Sequence, residues 1–255
     1  MLKPEGERLI IAGPCAAESR KQVLTSAYKV KELGLDGLRA CLWKPRTSPG
    51  FEGVGEAGIP WLLEAARLGL IVATEVMLPE DVENLVKNLD GQPETKVLIW
   101  LGARNQNHRL QKEIAALAKG DPHLWLMIKN PPWPDKRHWL GVHDHVLAAG
   151  FPAEKIIHCH RGFYPNENNH NNYRNHPDFE MVMQIKEATG RPMIIDPSHI
   201  GGSPENIRQV IVDSLKYPID GFLIETHPQP TLAQTDVHQQ LTFDQLEDLL
   251  KIFMA

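Results

Sequence analysis

The chain has 255 residues, 42% of them hydrophobic and 23% charged, and a formal net charge of -5. That length supports one sizeable core, and the composition is that of a globular protein. The acidic total excludes the broad basic field of a nucleic-acid binder, no apolar run approaches the ~20 residues of a membrane span, and three cysteines without CxxC spacing exclude a disulfide framework.

The start, Met1 to Arg8, is too acidic and too soon followed by a strand for a signal peptide, so a cytoplasmic protein is expected. The run Leu9 to Ala12 predicts a first strand, ending at Gly13-Pro14-Cys15, and Lys21 to Leu33 a helix. Gly37 to Trp43 predicts a second strand that carries Arg39. It runs into Lys44-Pro45-Arg46-Thr47-Ser48, where a compact cation, a planar guanidinium and two hydroxyls suit a phosphate group. After a helix from Ile59 to Leu68, strand three (Ile71 to Val76) contains Thr74-Glu75. After another from Pro79 to Asn88, strand four (Val97 to Leu101) meets Gly102-Ala103-Arg104-Asn105.

The pattern continues with a helix from Asn107 to Lys119, a strand from Trp125 to Ile128 followed by Lys129-Asn130, and a helix from Asp135 to Ala149. Strand six, Lys155 to Cys159, leads into His160-Arg161-Gly162 and then an irregular stretch up to His176. This stretch holds six asparagines, Asn166, Asn168, Asn169, Asn171, Asn172 and Asn175, and reads as a loop. A helix from Pro177 to Thr189 precedes strand seven, Pro192 to Ile195, which ends in Asp196-Pro197-Ser198-His199. A helix from Pro204 to Leu215 precedes strand eight, Gly221 to Ile224, followed by Glu225-Thr226-His227, by Asp236, and by a last helix from Phe243 to Phe253.

Eight strands, each followed by a helix, predict a single (β/α)8 TIM barrel spanning residues 1–255, and no repeat or linker marks a second domain. An open doubly wound sheet is the main competitor, and no glycine-rich dinucleotide fingerprint follows any strand. In a barrel the working residues stand at the carboxyl ends of the strands, and they fall here into two sets. Arg39, Lys44, Arg46, Arg104, Lys129 and Arg161 are cations converging on one mouth of an acidic protein, where phosphorylated substrates would neutralise their mutual repulsion. Cys15, His199, Glu225 and Asp236 offer a thiolate, an imidazole and two carboxylates, a mixture that suits a divalent transition metal.

Singly, each residue has an ordinary role: a cysteine after Gly-Pro as a small buried group, a histidine after Asp-Pro-Ser as a loop residue, Arg104 or Lys129 as a solvated cation. Their convergence favours function. His158 and His160 share one face of strand six, which leaves a second metal site open, while His143, His145 and the remaining scattered histidines read as solvated.

Gly13-Pro14-Cys15-Ala16-Ala17-Glu18-Ser19, Lys44-Pro45-Arg46-Thr47-Ser48-Pro49, Thr74-Glu75-Val76, Gly102-Ala103-Arg104-Asn105, Asp196-Pro197-Ser198-His199 and Ile224-Glu225-Thr226-His227-Pro228, in this order, resemble the type I 3-deoxy-D-arabino-heptulosonate 7-phosphate synthases. The resemblance implies a (β/α)8 enzyme condensing phosphoenolpyruvate with erythrose 4-phosphate and releasing phosphate, the first step of the shikimate pathway to the aromatic amino acids. It implies Arg104, Lys129 and Arg161 on the phosphoenolpyruvate phosphate, and Arg39 and Lys44 near its carboxylate and bridging region. Arg46, Thr47 and Ser48 would then lie on the aldose phosphate, with Cys15, His199, Glu225 and Asp236 on one manganese, iron, cobalt or zinc ion. Lys44, Cys15 and His199 carry the chemistry in this reading.

Two departures stand out: Asn130-Pro131-Pro132-Trp133 after Lys129, where the family continues Arg-Gly, and His160 before Arg161, where an acid is expected. Against the resembled family, no fused regulatory or chorismate mutase domain is expected; by analogy with similar proteins a homo-oligomer, dimer or tetramer, is expected, and a separate chorismate mutase is a candidate partner. The enzymatic alternative is a 3-deoxy-D-manno-octulosonate 8-phosphate synthase using arabinose 5-phosphate, which typically has Asn-Arg-Ser-Ser after strand two. The non-enzymatic alternative is a barrel kept as a phosphosugar-binding scaffold subunit.

Overall fold

In a computed structural model, which describes residues 3, 6–45, 49–89, 91, 92, 94–165 and 172–253, eight parallel strands close into a ring in the order β1-β2-β3-β4-β5-β6-β7-β8. The strands are β1 (Leu9–Gly13), β2 (Gly37–Arg39), β3 (Ile71–Val76), β4 (Val97–Leu101), β5 (Leu124–Lys129), β6 (Ile156–His160), β7 (Met193–Ile195) and β8 (Gly221–Glu225). β1 pairs with β8 over five residues, from Leu9↔Gly221 to Gly13↔Glu225, which shuts the ring. Outside it lie α1 (Arg20–Glu32), α2 (Ile59–Ala66), α3 (Pro79–Leu89), α4 (His108–Ala118), α5 (Lys136–Ala148), α6 (Phe179–Thr189), α7 (Pro197–Gly201), α8 (Pro204–Ser214) and α9 (Phe243–Leu250). The fold is thus a (β/α)8 barrel. No helix among the described residues is long and apolar enough to cross a membrane.

Helix starts are written in short polar side chains. Ser19, Asn107, Asp135, Asp178, Asp196 and Ser203 each accept a backbone N–H of the helix that follows. Thr242 and Gln245 make a reciprocal capping box on α9.

The period-2 alternation of the strands sorts the core into two layers. Side chains such as Ala12, Leu38, Ile99, Leu101, Ile128, Ile195 and Ile224 pack outward with the helices. Leu9, Ile11, Ala73, Leu98, Trp100, Met127, Ile157, Ile194 and Leu223 fill the ring itself. On the same inward rows, further along the strands, come Arg39, Glu75, Lys129 and Glu225, all buried, with Asp196 just beyond β7. The charged groups therefore form a layer on top of an apolar plug.

Beyond shifts of one to three residues at other ends, two elements differ from the sequence reading. β2 ends at Arg39, not Trp43, because the chain then leaves β3. Cys41 bridges to Ala16, the Leu42 N–H donates to Thr74 Oγ1 at 2.9 Å, and the Lys44 N–H donates to the Glu52 carbonyl. The short helix α7 occupies the segment after β7, built on an Asp cap and a proline in its first turn, a combination that favours a helix start.

The histidines on the outer face of β6 are also unlike their expected surroundings. His143 is buried, not solvated, and its Nδ1 lies 3.1 Å from His158 Nε2, while Trp139 Nε1 donates to His158 Nδ1. The indole can only donate, so His158 must carry its proton on Nε2 and give it to His143. Burial pushes His158 and His160 down to about 3 and lowers His143 as well. Below the unfolded-state value of roughly 6.5 the unfolded chain takes up protons that the folded chain refuses, so stability falls with acid. Each of His158 and His160 is expected to lose about 2 kcal/mol of stability at pH 5 relative to pH 7. Denaturant titrations at the two pH values measure this, and unchanged stability would contradict the assignment.

Candidate active site

The top layer opens into a cavity of about 220 Å³ whose lining includes Arg39, Lys44, Glu75, Arg104, Lys129, Arg161, Arg174 and His199. Five of the six predicted cations thus face one space. The sixth, Arg46, lies with Thr47 and Ser48 outside the described residues.

Cys15, Glu225 and Asp236 present one ligand atom each, all within 4.8 Å of one another. Cys15 follows β1, Glu225 closes β8 and Asp236 sits in the next loop with a left-handed backbone, φ 51°. His199 is on α7 beside them, its Nε2 3.8 Å from Glu225 Oε1. It stands at the edge of the trio of donor atoms. Glu225 is fully buried, and its Oε1 has the Arg39 guanidinium as an ion-pair partner. A buried carboxylate set beside a thiol and a second carboxylate, like charges that repel without a cation between them, fits a transition metal.

The cations are less bare than the sequence suggested, because carboxylates from neighbouring strands reach them. Arg39 Nη2 contacts Glu225 Oε1 at 3.0 Å, and the same guanidinium donates to the Pro14 and Cys15 carbonyls. Lys129 Nζ is 2.7 Å from Asp196 Oδ2, which also lies 2.9 Å from His199 Nδ1. Lys44 Nζ donates to Cys15 Sγ at 3.0 Å and is 3.8 Å from Asp236 Oδ2. Beneath them the fully buried Trp100 ring has the Arg39 guanidinium 5.3 Å and Lys129 Nζ 5.0 Å from its centre, a cation–π arrangement.

Burial works against the charges of Arg39, Lys44 and Lys129, but their neighbours outweigh it and raise all three. Glu225 leads for Arg39, the Cys15 and Cys41 sulfurs with Glu75 for Lys44, and Asp196 for Lys129. Asp196 and Asp236 are held below the usual carboxylate range: against burial, His199 and Lys129 lower Asp196, and His199, Lys44 and Arg174 lower Asp236. Burial and then Glu225 push the Cys15 thiol up.

Close packing at the strand ends requires glycine. A Cβ on Gly102 would meet Glu75 Oε1 at 1.9 Å, so this glycine makes room for a carboxylate that lines the cavity.

Several functional neighbours escaped the sequence reading. The sequence places Asp196 at a strand end but does not mark it as the partner of both Lys129 and His199. Arg174, from the asparagine-rich stretch, lines the cavity and contacts Asp236 at 2.8 Å and Gln239. Gln240 Oε1 accepts the Cys15 N–H at 2.9 Å. Asp196 was legible as a cap before proline, but nothing local marks the other two.

A buried cluster of potential metal donors beside convergent cations, at the carboxyl end of a closed ring, defines a class: a (β/α)8 barrel built to hold anions next to a metal centre. Comparison with known proteins narrows the class. A sequence model of the DAHP synthetase I family matches residues 1–254, and the chain belongs to that family. It is 33% identical over 250 residues to a phospho-2-dehydro-3-deoxyheptonate aldolase of Thermotoga maritima, covering 95% of this chain and 68% of that one. A 2-dehydro-3-deoxyphosphooctonate aldolase of Variovorax paradoxus is 26% identical over 271 residues, covering 96% of this chain and 89% of that protein. The crystal structure of phospho-2-dehydro-3-deoxyheptonate aldolase (DAHP synthase) from Thermotoga maritima superposes with a TM-score of 0.84 at 29% identity, covering 98% of this chain and 69% of that one.

Proposed function

We propose that this protein joins phosphoenolpyruvate to erythrose 4-phosphate, giving 3-deoxy-D-arabino-heptulosonate 7-phosphate and inorganic phosphate, the entry step of the shikimate pathway. The observation that carries the reading is the meeting of Cys15, Glu225 and Asp236 beside the cation-lined cavity, in a chain of this family.

The residues divide the work. Lys129, Arg161 and Arg104 hold the phosphate of phosphoenolpyruvate, and Arg39 and Lys44 face its carboxylate and bridging oxygen. The cations position two anions that would otherwise repel each other. C3 of phosphoenolpyruvate attacks the aldehyde carbon, water adds at C2, and phosphate leaves by C–O cleavage. Lys44, held between Cys15 and Asp236, stabilises charge or delivers a proton at the aldehyde oxygen. Cys15, His199, Glu225 and Asp236 would hold a divalent ion, which would supply Lewis acidity toward that oxygen. Manganese, iron, cobalt and zinc all accept this donor set. Asp196 keeps Lys129 charged and turns the Nδ1 side of His199 toward itself, which leaves Nε2 facing Glu225.

Arabinose 5-phosphate is the competing aldose, because relatives named for the octulosonate reaction match along nearly the whole chain at 25–27% identity. Phosphate release from phosphoenolpyruvate is expected to require erythrose 4-phosphate, to stop in EDTA and to return with manganese. Release that follows arabinose 5-phosphate would establish the other aldose, and phosphate binding without turnover would establish a scaffold.

A further inference from the structure

Among the described residues of the asparagine-rich stretch after β6, Asn175 has a distinctive place. Asn175 is 3% exposed, and its side chain lies between Arg161 and His199. Arg161 Nη1 donates to Asn175 Oδ1 at 2.8 Å, and Asn175 Nδ2 donates to the His199 carbonyl at 2.6 Å. A guanidinium can only donate and a carbonyl can only accept, so this position needs one acceptor and one donor on a single short side chain. Asparagine supplies both.

The surroundings fix that amide from both sides. α7 is a single short turn whose last carbonyls need donors. They are met by Asn175 Nδ2 on His199, by the Asn175 N–H on Ile200 at 3.1 Å and by the Arg174 N–H on Gly201 at 3.4 Å. On the other side, Asn130 Oδ1 accepts the Arg161 N–H at 2.7 Å and its Nδ2 donates to the Gly162 carbonyl at 2.9 Å. Gly162 has φ +80°, and a Cβ there would stand 2.6 Å from Asn175 Cβ, so its bare backbone admits the asparagine. Phe163 and His176 then exchange both backbone hydrogen bonds, closing the loop onto itself. The result is one polar chain, Asn130–Arg161–Asn175–His199, running from the end of β5 to α7.

Arg161, within this chain, faces the cavity, and His199, at its end, lies beside the metal donors. We propose that Asn175 is a positioning residue that couples the two half-sites, so that a divalent ion drawing on His199 sets the Arg161 guanidinium for the phosphate of phosphoenolpyruvate, and each ligand strengthens the binding of the other. The proposal rests on the substrate reading given above. By linkage the effect is reciprocal, and couplings of this kind commonly amount to about 5- to 150-fold.

The test measures phosphoenolpyruvate affinity by calorimetry on the full chain, stripped of metal or saturated with manganese, in the wild type, Asn175→Asp and Asn175→Ala. Asn175→Asp keeps the acceptor for Arg161 and removes the donor to His199. The wild type is expected to bind phosphoenolpyruvate about tenfold more tightly with manganese, in the middle of that range. In Asn175→Asp the metal-free affinity is expected to stay within about threefold of wild type while the manganese effect falls below about twofold. In Asn175→Ala both should weaken. A merely structural role would lower all affinities together and leave the ratio untouched.

An undiminished manganese effect in Asn175→Asp overturns the proposal alone, leaving the substrate reading intact. Absence of any manganese effect in the wild type overturns it regardless of how the variants fold. Failure of the wild type to bind phosphoenolpyruvate removes the substrate reading and this proposal together.

Discussion

Cys15→Ala is expected to lower manganese affinity by at least about 100-fold while leaving the affinity for phosphoenolpyruvate within a few fold of wild type. Loss of an outer-shell partner alone costs about 10- to 100-fold in metal affinity, and the thiol would be a direct ligand. The fold should tolerate the change. The Cys15 backbone is held by Gln240 and Arg39 independently of its sulfur, and without the thiol Lys44 and Asp236 still face each other at 3.8 Å. Lys44 loses its hydrogen bond to the sulfur but keeps Asp236 as its opposite charge. Turnover should fall to below about 1% of wild type if the metal supplies the Lewis acid. Manganese titration followed by electron paramagnetic resonance measures the first effect, and wild-type metal affinity in the variant would take the sulfur out of the site.

Asp196→Asn should do a different kind of damage. This carboxylate is fully buried and serves Lys129 Nζ, His199 Nδ1 and the His199 backbone N–H at once. The amide can keep the helix cap but cannot balance the lysine. Breaking a buried pair on one side commonly costs about 3–5 kcal/mol, because the remaining charge is stranded. Burial already works against the Lys129 charge, and Asp196 is the leading opposing influence, so without it the ammonium deprotonates more readily. The variant should therefore be less stable, and its kcat/KM for phosphoenolpyruvate should fall by at least about 100-fold near pH 8, with the alkaline limb of the pH profile moved to lower pH. A profile superimposable on that of the wild type would show that Asp196 does not sustain the lysine.

Much of the barrel was legible because short inward-facing rows of apolar residues obey the period of a strand, and each ends in a chemically capable group. The segment Val97 to Leu101 illustrates this: the predicted and observed strands coincide, and Arg104 follows at the mouth. Pairings were not legible. That Lys129 meets Asp196, 67 positions away, depends on the closure of the ring and not on any spacing in the chain. His143 read as solvated because a polar residue on a helix normally faces water, whereas here His158 on β6 supplies an inside partner. The apolar run Cys41, Leu42 and Trp43 looks like a continuation of β2, yet Cys41 bonds to Ala17, and Leu42 to Thr74 and Gly55. In the stretch up to His176, composition alone does not single out Asn175 as clasped between two half-sites.

The Cys15 sulfur donates to Asp236 across 221 positions of sequence, at the seam where β8 returns to β1. During synthesis the first strand must wait for the last before these two groups can meet. Ion capture at this point would therefore report completion of the ring. It would also act as a clasp, since a ligand bound by the native state and not by the unfolded chain shifts the balance toward the closed form.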